Sequence, residues 1–229
     1  MFDYRYAYLL TNLFLVIPTW LFFYRKRSDL RHKILTSSIF GGIAGPLSEI
    51  IYLKDYWRPE LFNGWAIGLE DFLFGFGIAG VACAAYEEMF GQKYTRRHKR
   101  RQHWILLILP IIVILLYEFN LAFPHLWINS IYISMIAFLI TAAIIIYFRR
   151  DLGLDSLMSG ILFGSFFLIG YLILLRFYPE IFTRWWLLKN ISGITVFTIP
   201  IEELLWAFGF GMFAGPIYEF YAGLTFKKK

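Results

Sequence analysis

Two acidic pairs stand in otherwise apolar sequence, Glu70-Asp71 within 68–74 and Glu202-Glu203 within 200–206, and a single acid, Glu49, closes the apolar segment before the first pair. An acid at mid-bilayer costs roughly 2.5–3.5 kcal/mol on insertion scales, so such groups are seldom idle. Carboxyl groups desolvated beside one another do not ionise together, and a protonated acid next to an ionised one is the arrangement that general acid–base chemistry requires. Aromatic residues crowd the same stretches: Trp57, Trp65, Phe74 and Tyr86 in the first half, and Trp206, Phe208 and Tyr218 in the second. Ring faces attract cations. Acids that deliver a proton and rings that cradle a positive charge suit the protonation of an apolar polyene. The plainer account is a set of protonated acids hydrogen-bonding between helices. It is weakened by the recurrence of an acidic pair in both halves.

That recurrence extends beyond the acids. Residues 68–91 and 200–223, laid over each other at an offset of 132, agree at 8 of 24 positions, among them Glu70/Glu202, Tyr86/Tyr218 and Glu87/Glu219. Upstream, Phe23-Tyr24-Arg25-Lys26-Arg27-Ser28-Asp29-Leu30 is echoed by Tyr147-Phe148-Arg149-Arg150-Asp151-Leu152, and Arg58-Pro59-Glu60-Leu61-Phe62 by Tyr178-Pro179-Glu180-Ile181-Phe182. An internal repeat is expected.

The elements that must position these residues are membrane helices. The chain has 229 residues, 59% of them hydrophobic, and a mean hydropathy of +0.60. Soluble domains are about half apolar. Seven continuously apolar segments, 7–23, 35–53, 65–90, 104–122, 126–148, 157–175 and 191–221, are long enough to span a bilayer. They are too long, and insufficiently alternating, for strands. The fold class is therefore all-α integral membrane: seven transmembrane helices as 3+1+3 parallel repeats around a central cavity. The divisions are 1–92 for the first three-helix repeat, 93–124 for a basic loop and connector helix, and 125–229 for the second repeat.

Loops after segments one, three and five, with the tail, carry 16 Lys and Arg against 6 on the other side, which predicts an outside N-terminus and a cytoplasmic C-terminus. The prokaryotic plasma membrane is the expected location. No cleavable signal is expected, so the first segment stays as a helix. The run 94–101 reads as a cytoplasmic loop near anionic headgroups rather than a nucleic-acid site. The narrow segments hold no Lys or Arg, and Glu87, Glu88, Glu118 and Glu219 read as solvated helix ends. Cys83 is the single cysteine and His32, His98, His103 and His125 fall in or beside loops, so no metal site is expected.

At these residues the chain resembles the lycopene cyclase domain family, small integral-membrane carotenoid cyclases that occur as two three-helix polypeptides or one fused chain. The first repeat offers Glu49, then Asp55-Tyr56-Trp57-Arg58-Pro59, then Leu69-Glu70-Asp71-Phe72-Leu73-Phe74 and Tyr86-Glu87. The second offers Pro179, then Pro200-Ile201-Glu202-Glu203-Leu204-Leu205-Trp206 and Tyr218-Glu219. Gly68 stands where the family has proline, Asp71 replaces a Glu, and Ala79 and Gly211 replace prolines further along. The loop before Glu70 is shorter than usual, and segment six has no acid matching Glu49. The resemblance implies a redox-neutral ring closure of a linear carotenoid end group without cofactor or metal. Glu70 or Glu202 would be the proton donor, and Asp71, Glu203 and Glu49 the cation stabilisers or base. The implied partners are a hydrophobic polyene or terpenoid and the lipid bilayer. The oligomeric state stays open. A parallel-repeat transporter for small solutes or protons, or a cyclase of another terpenoid, is the alternative; the scarcity of Asn, Gln and Ser between the acids favours an apolar ligand.

Overall fold

The computed structural model describes residues 3–94 and 102–227. The basic run at 95–101 and the tail Lys228-Lys229, both used in the orientation argument, lie outside the described residues. Tyr4–Lys26 forms α1, Arg31–Asp55 α2, Leu69–Phe90 α3, Ile105–Ala122 α4, Ser130–Phe148 α5 and Gly153–Phe177 α6. The short α7 (Ile181–Trp185) and a two-stranded hairpin, β1 (Thr195–Val196) against β2 (Ile199–Pro200), follow. Then come α8 (Ile201–Ala214) and α9 (Ile217–Ala222). The described chain is nearly all α-helix, and among the described residues six helices are long and apolar enough to cross a membrane. The seventh expected segment differs. Residues 191–200 are not helical, and Gly215-Pro216 divides the rest into pieces of 14 and 6 residues, because proline cannot donate to the ladder.

Proline also shapes α1. Pro18 lacks the N–H that would bond one turn back, and the preceding residues Asn12–Val16 adopt a wider, π-type turn. α2 is longer than expected. It takes in Lys33, which is only 2% exposed, together with Arg31, His32 and Lys54 at its ends. The cation-free condition thus holds for the narrow apolar segment and not for the whole helix.

The chain divides into two compact units, Met1–Val81 with Ser165–Leu204, and Ala82–Gly164 with Leu205–Lys229. In the first, α2 and α3 touch backbone to backbone. A Cβ on Gly75 would lie 2.2 Å from the Gly41 carbonyl oxygen, and one on Gly45 would lie 2.3 Å from that of Asp71. Gly41 and Gly45 are four residues apart on one face of α2, the small-residue spacing that allows helices in lipid to approach closely. In the second unit α6 and α8 meet the same way: a Cβ on Gly211 would lie 2.5 Å from the Ser159 carbonyl oxygen, and the Ser156 hydroxyl donates to the Met212 carbonyl at 2.7 Å. The core of this unit includes Ile105, Ile145, Leu152 and Phe220.

Two corners have the same local structure. Arg27 donates Nε and Nη2 to Asp29 at 2.9 and 2.8 Å, and Arg149 does the same to Asp151 at 2.9 and 2.8 Å. Each corner opens a helix of 25 residues, and these start 122 residues apart, at Arg31 and Gly153. The next helices start 132 apart, at Leu69 and Ile201. The segment 178–200, which holds α7 and the hairpin, is ten residues longer than its counterpart 56–68.

The hairpin turn places Phe197 and Thr198 at φ 52° and 68°, the left-handed region that its tight two-residue turn demands and that glycine or asparagine adopts at lower cost.

Gly75→Ala should lower the unfolding temperature in detergent by several degrees, since overpacking costs about 1–3 kcal/mol. Gly153→Ala should leave it unchanged, because its Cβ would meet nothing nearer than 3.7 Å. Equal melting temperatures for the two variants would contradict the backbone contact.

Candidate functional site

All five acids singled out in the sequence lie in the first unit and are buried. Each pair occupies the first turn of its helix, α3 or α8, rather than a position further along it. The free N–H groups of a helix start offer natural partners for carboxylates, and the two members of each pair use different ones.

The first member of each pair holds the preceding loop. Glu70 Oε1 accepts from the Phe62 N–H at 2.9 Å, and Glu202 Oε1 from the Ser192 N–H at 2.9 Å. The Glu70 carbonyl also accepts from Asn12 Nδ2 at 3.1 Å, which ties the π-type turn of α1 to the start of α3. The second members face elsewhere. Asp71 Oδ2 caps its own helix by accepting from the Gly68 N–H at 2.7 Å, the reciprocal half of a capping box. Its Oδ1 is buried without a hydrogen-bond donor, as is Glu70 Oε2. Tyr8 lies against the Asp71 carboxyl, and Glu49 is within electrostatic reach of it. The glycine contact explains this meeting. Glu49 lies one turn beyond Gly45 on the same face of α2, and Gly45 abuts the Asp71 backbone. Glu203 accepts three side-chain donors, the Tyr56 and Trp186 groups on Oε1 and the Tyr171 hydroxyl on Oε2; the Trp186 bond is 2.7 Å.

Aromatic rings join these acids. Tyr8 contacts Trp57 (5.4 Å between centroids), Trp57 contacts Trp186 (5.3 Å), and Trp186 contacts Tyr171 (6.4 Å). Tyr171 contacts Phe167 (5.6 Å), Phe167 contacts Phe74 (6.0 Å), and Phe74 returns to Tyr8 (5.6 Å), closing the circuit. Trp57 Nε1 donates to Glu49 Oε2 at 3.0 Å. The circuit is held on one side by loop pairing: Trp57 and Trp186 form an antiparallel bridge, with Arg58 N–H donating to the Trp185 carbonyl at 2.7 Å and Leu187 N–H to the Tyr56 carbonyl at 2.8 Å. Six rings thus sit beside three carboxyl groups, those of Asp71, Glu49 and Glu203. The arrangement is suited to proton transfer and to holding a positive charge.

Of the aromatics read from the sequence, Trp57 and Phe74 belong to this circuit. Trp65 does not: it is 70% exposed on the loop before α3. Trp206, Phe208, Tyr86 and Tyr218 belong to the other unit. There Trp206 stacks on Phe210 (5.2 Å), Phe208 packs over Gly160 and Gly164, Tyr86 meets Phe90 (5.2 Å), and Tyr218 is half-buried beside Glu219. Tyr8, Tyr56, Phe167, Tyr171 and Trp186 were not singled out. Tyr171 had a legible signal: it is the nineteenth residue of α6, as Glu49 is of α2.

The reading of Glu87 and Glu219 as solvated ends is corrected. Both are buried, and with Asp155 they place carboxylate oxygens within 4.8 Å of one another in the second unit. Tyr94 donates to Glu87 at 2.8 Å and also to Glu219. Glu118 is exposed and Glu88 half-buried.

Residues 129–221 match the family model described as lycopene cyclase. Over these residues the chain is similar to the lycopene cyclase family. The match takes in Tyr171, Trp186, Glu202 and Glu203 of the site just described, and it supports a carotenoid cyclase at the level of the family. With the six apolar helices it fits an integral membrane protein and a hydrophobic polyene substrate. No curated protein and no solved structure matches the chain.

Two buried tyrosines outside the membrane-spanning helices, Tyr56 of the site and Tyr94 of the second acidic cluster, carry a pH dependence. Burial pushes the Tyr56 hydroxyl well above its ordinary 10.0, with the Glu203 charge adding to it. Burial does the same to Tyr94, followed by Glu219 and Glu87. The folded chain therefore holds these protons more tightly than the unfolded chain. Their contribution is fully present below pH 10 and falls as pH rises above it. Thermal unfolding followed across that range should show declining stability, and Tyr94→Phe should flatten the decline. An unchanged slope in Tyr94→Phe would contradict this.

Proposed function

We propose that the protein is a membrane-embedded carotenoid cyclase that closes the end ring of a linear, lycopene-type polyene by proton transfer. The observation that carries this reading is the closed circuit of six aromatic rings beside Asp71, Glu49 and Glu203. In the proposed reaction a carboxyl of the first acidic stretch adds its proton to the terminal C=C and leaves a tertiary carbocation. The neighbouring double bond attacks it, a C–C bond forms and the six-membered ring closes. A carboxylate then removes a proton and sets the position of the final double bond. Atoms balance without redox change.

Within this reading Asp71 and Glu203 face the reacting polyene. Glu70 and Glu202 act at one remove, by anchoring loops 62–68 and 192–200 through backbone N–H groups. This departs from the expectation that Glu70 or Glu202 supplies the proton. The equal lengths of α2 and α6 and the shared Arg–Asp corners support a further part of the proposal, the arrangement of helices as two parallel triplets joined by α4 around a central cavity. The N-terminus would face outside and the C-terminus the cytoplasm of a prokaryotic cell.

Expression in a lycopene-accumulating host tests the reading. Wild-type protein should yield monocyclic or bicyclic carotenoid. Asp71→Asn and Glu203→Gln should each lower ring formation by about 100-fold or more, the range of a lost general acid or base. Glu70→Gln and Glu202→Gln should lose far less, in proportion to folded protein. Unchanged lycopene with well-expressed wild-type protein would overturn the cyclase reading and return weight to another terpenoid or a transporter.

A further inference from the structure

The two halves of the site are built from corresponding positions but not from corresponding chemistry. The nineteenth residue of α2 is Glu49 and that of α6 is Tyr171. Each lies within reach of the second acid of the helix that follows. Glu49 lies within electrostatic reach of Asp71, whereas the Tyr171 hydroxyl donates to Glu203 Oε2. One half is therefore an acid facing an acid, and the other a tyrosine facing an acid.

The hydrogen-bond accounts of the two acids differ accordingly. Glu203 has a side-chain donor on each oxygen. Tyr56 and Trp186 donate to Oε1 and Tyr171 to Oε2. An indole N–H can only donate, so the Trp186 bond fixes Oε1 as an acceptor. For Oε2 to carry a proton toward a substrate, the Tyr171 bond would have to be given up or reversed. Asp71 accepts the Gly68 N–H on Oδ2 and a side-chain bond from Tyr8, and its Oδ1 is buried without a hydrogen-bond partner. That oxygen can hold a proton without displacing a donor, and Glu49 is a second acid within electrostatic reach of it. The ionisable groups around Asp71 are Glu49, Glu70 and Tyr8, and those around Glu203 are Tyr56, Tyr171 and Glu202.

We infer that Tyr171, with Tyr56 and Trp186, is a positioning residue that holds Glu203 as the proton-accepting carboxylate of ring closure, leaving the Glu49–Asp71 pair as the proton source. The inference rests on the cyclase reading above. In bond terms, the O–H of the Glu49–Asp71 pair breaks and a C–H forms at the terminal alkene. After ring closure a C–H adjacent to the cation breaks, its electrons form the new C=C, and its proton passes to a Glu203 oxygen. Exchange with solvent returns the proton to the first pair before the next turnover.

The test compares wild type, Tyr171→Phe and Tyr56→Phe in membranes supplied with lycopene, together with infrared difference spectra of wild type against Glu203→Gln. Tyr171→Phe should lower kcat by about 10-fold with KM unchanged, the size expected for one hydrogen bond to a charged group. The acid limb of its rate profile should move to higher pH, because Glu203 has lost a donor that favours its ionised form. A merely structural tyrosine would reduce the amount of folded protein and leave that limb in place. Tyr56→Phe should move the limb in the same direction. The spectra read the state of Glu203 directly and do not depend on turnover: Glu203→Gln should lose an ionised carboxylate band. Loss of a protonated carboxyl band instead would overturn the inference, as would an unmoved acid limb in both tyrosine variants. Failure of the wild type itself to cyclise lycopene would overturn the cyclase reading, whatever the spectra give.

Discussion

Hydrogen-bond donors converge on Glu203 from three separate stretches of chain: Tyr56 just beyond α2, Tyr171 on α6 and Trp186 just beyond α7. A carboxyl group removed from water is costly unless its oxygens find donors, and in an apolar helix bundle few are available. The organisation of this unit follows from that need. The Trp57–Trp186 bridge brings two loops together, and in doing so presents one indole to Glu49 and the other to Glu203. The short α7 and the hairpin supply the extra length by which 178–200 reaches its partners, and the hairpin ends directly on the helix that carries the acids. The positive φ angles of Phe197 and Thr198 are the local cost of that turn.

A second constraint, close helix approach, decides which side chains can meet. Lipid gives no hydrophobic reason for two helices to associate, so contact comes from backbones that pack without intervening side chains. Gly41, Gly45 and Gly75 provide this for α2 and α3, and the separation they permit lets Glu49 reach Asp71. The same pattern in the other unit, Ser156, Ser159 and Gly160 against Gly211 and Gly215, serves a different set of acids, Glu87, Asp155 and Glu219. Similar sequence devices thus build two buried acidic clusters, and the first lies beside a closed circuit of rings.

The aromatic residues show how far composition can be read. Trp57 and Phe74 join the circuit, whereas Trp65 is exposed in its loop and Trp206 stacks within another aromatic cluster. All are aromatic neighbours of the acids in sequence. What separates them is which helix face or loop edge they occupy once the chain is folded. Tyr8 and Phe167 are far from the acidic pairs in sequence and become their neighbours through helix packing alone. The helix starts tell a similar story. Apolar character continues through 191–200, so hydropathy extends the last segment into residues that in fact form a turn and a hairpin.

The helical class, the recurrence of an acidic pair, the matching corner motifs and the similarity of residues 129–221 to the lycopene cyclase family can all be read from the chain's order of residues. These are legible because apolar length, charge placement and short motifs are local properties. Only the tertiary structure decided that Glu70 and Glu202 bind loop backbone while Asp71 and Glu203 face the rings, and that Glu87 and Glu219 are buried with Asp155. Neighbouring residues on a helix point about 100° apart. Two adjacent acids therefore have different surroundings, and the identity of those surroundings is set by the elements that pack against them.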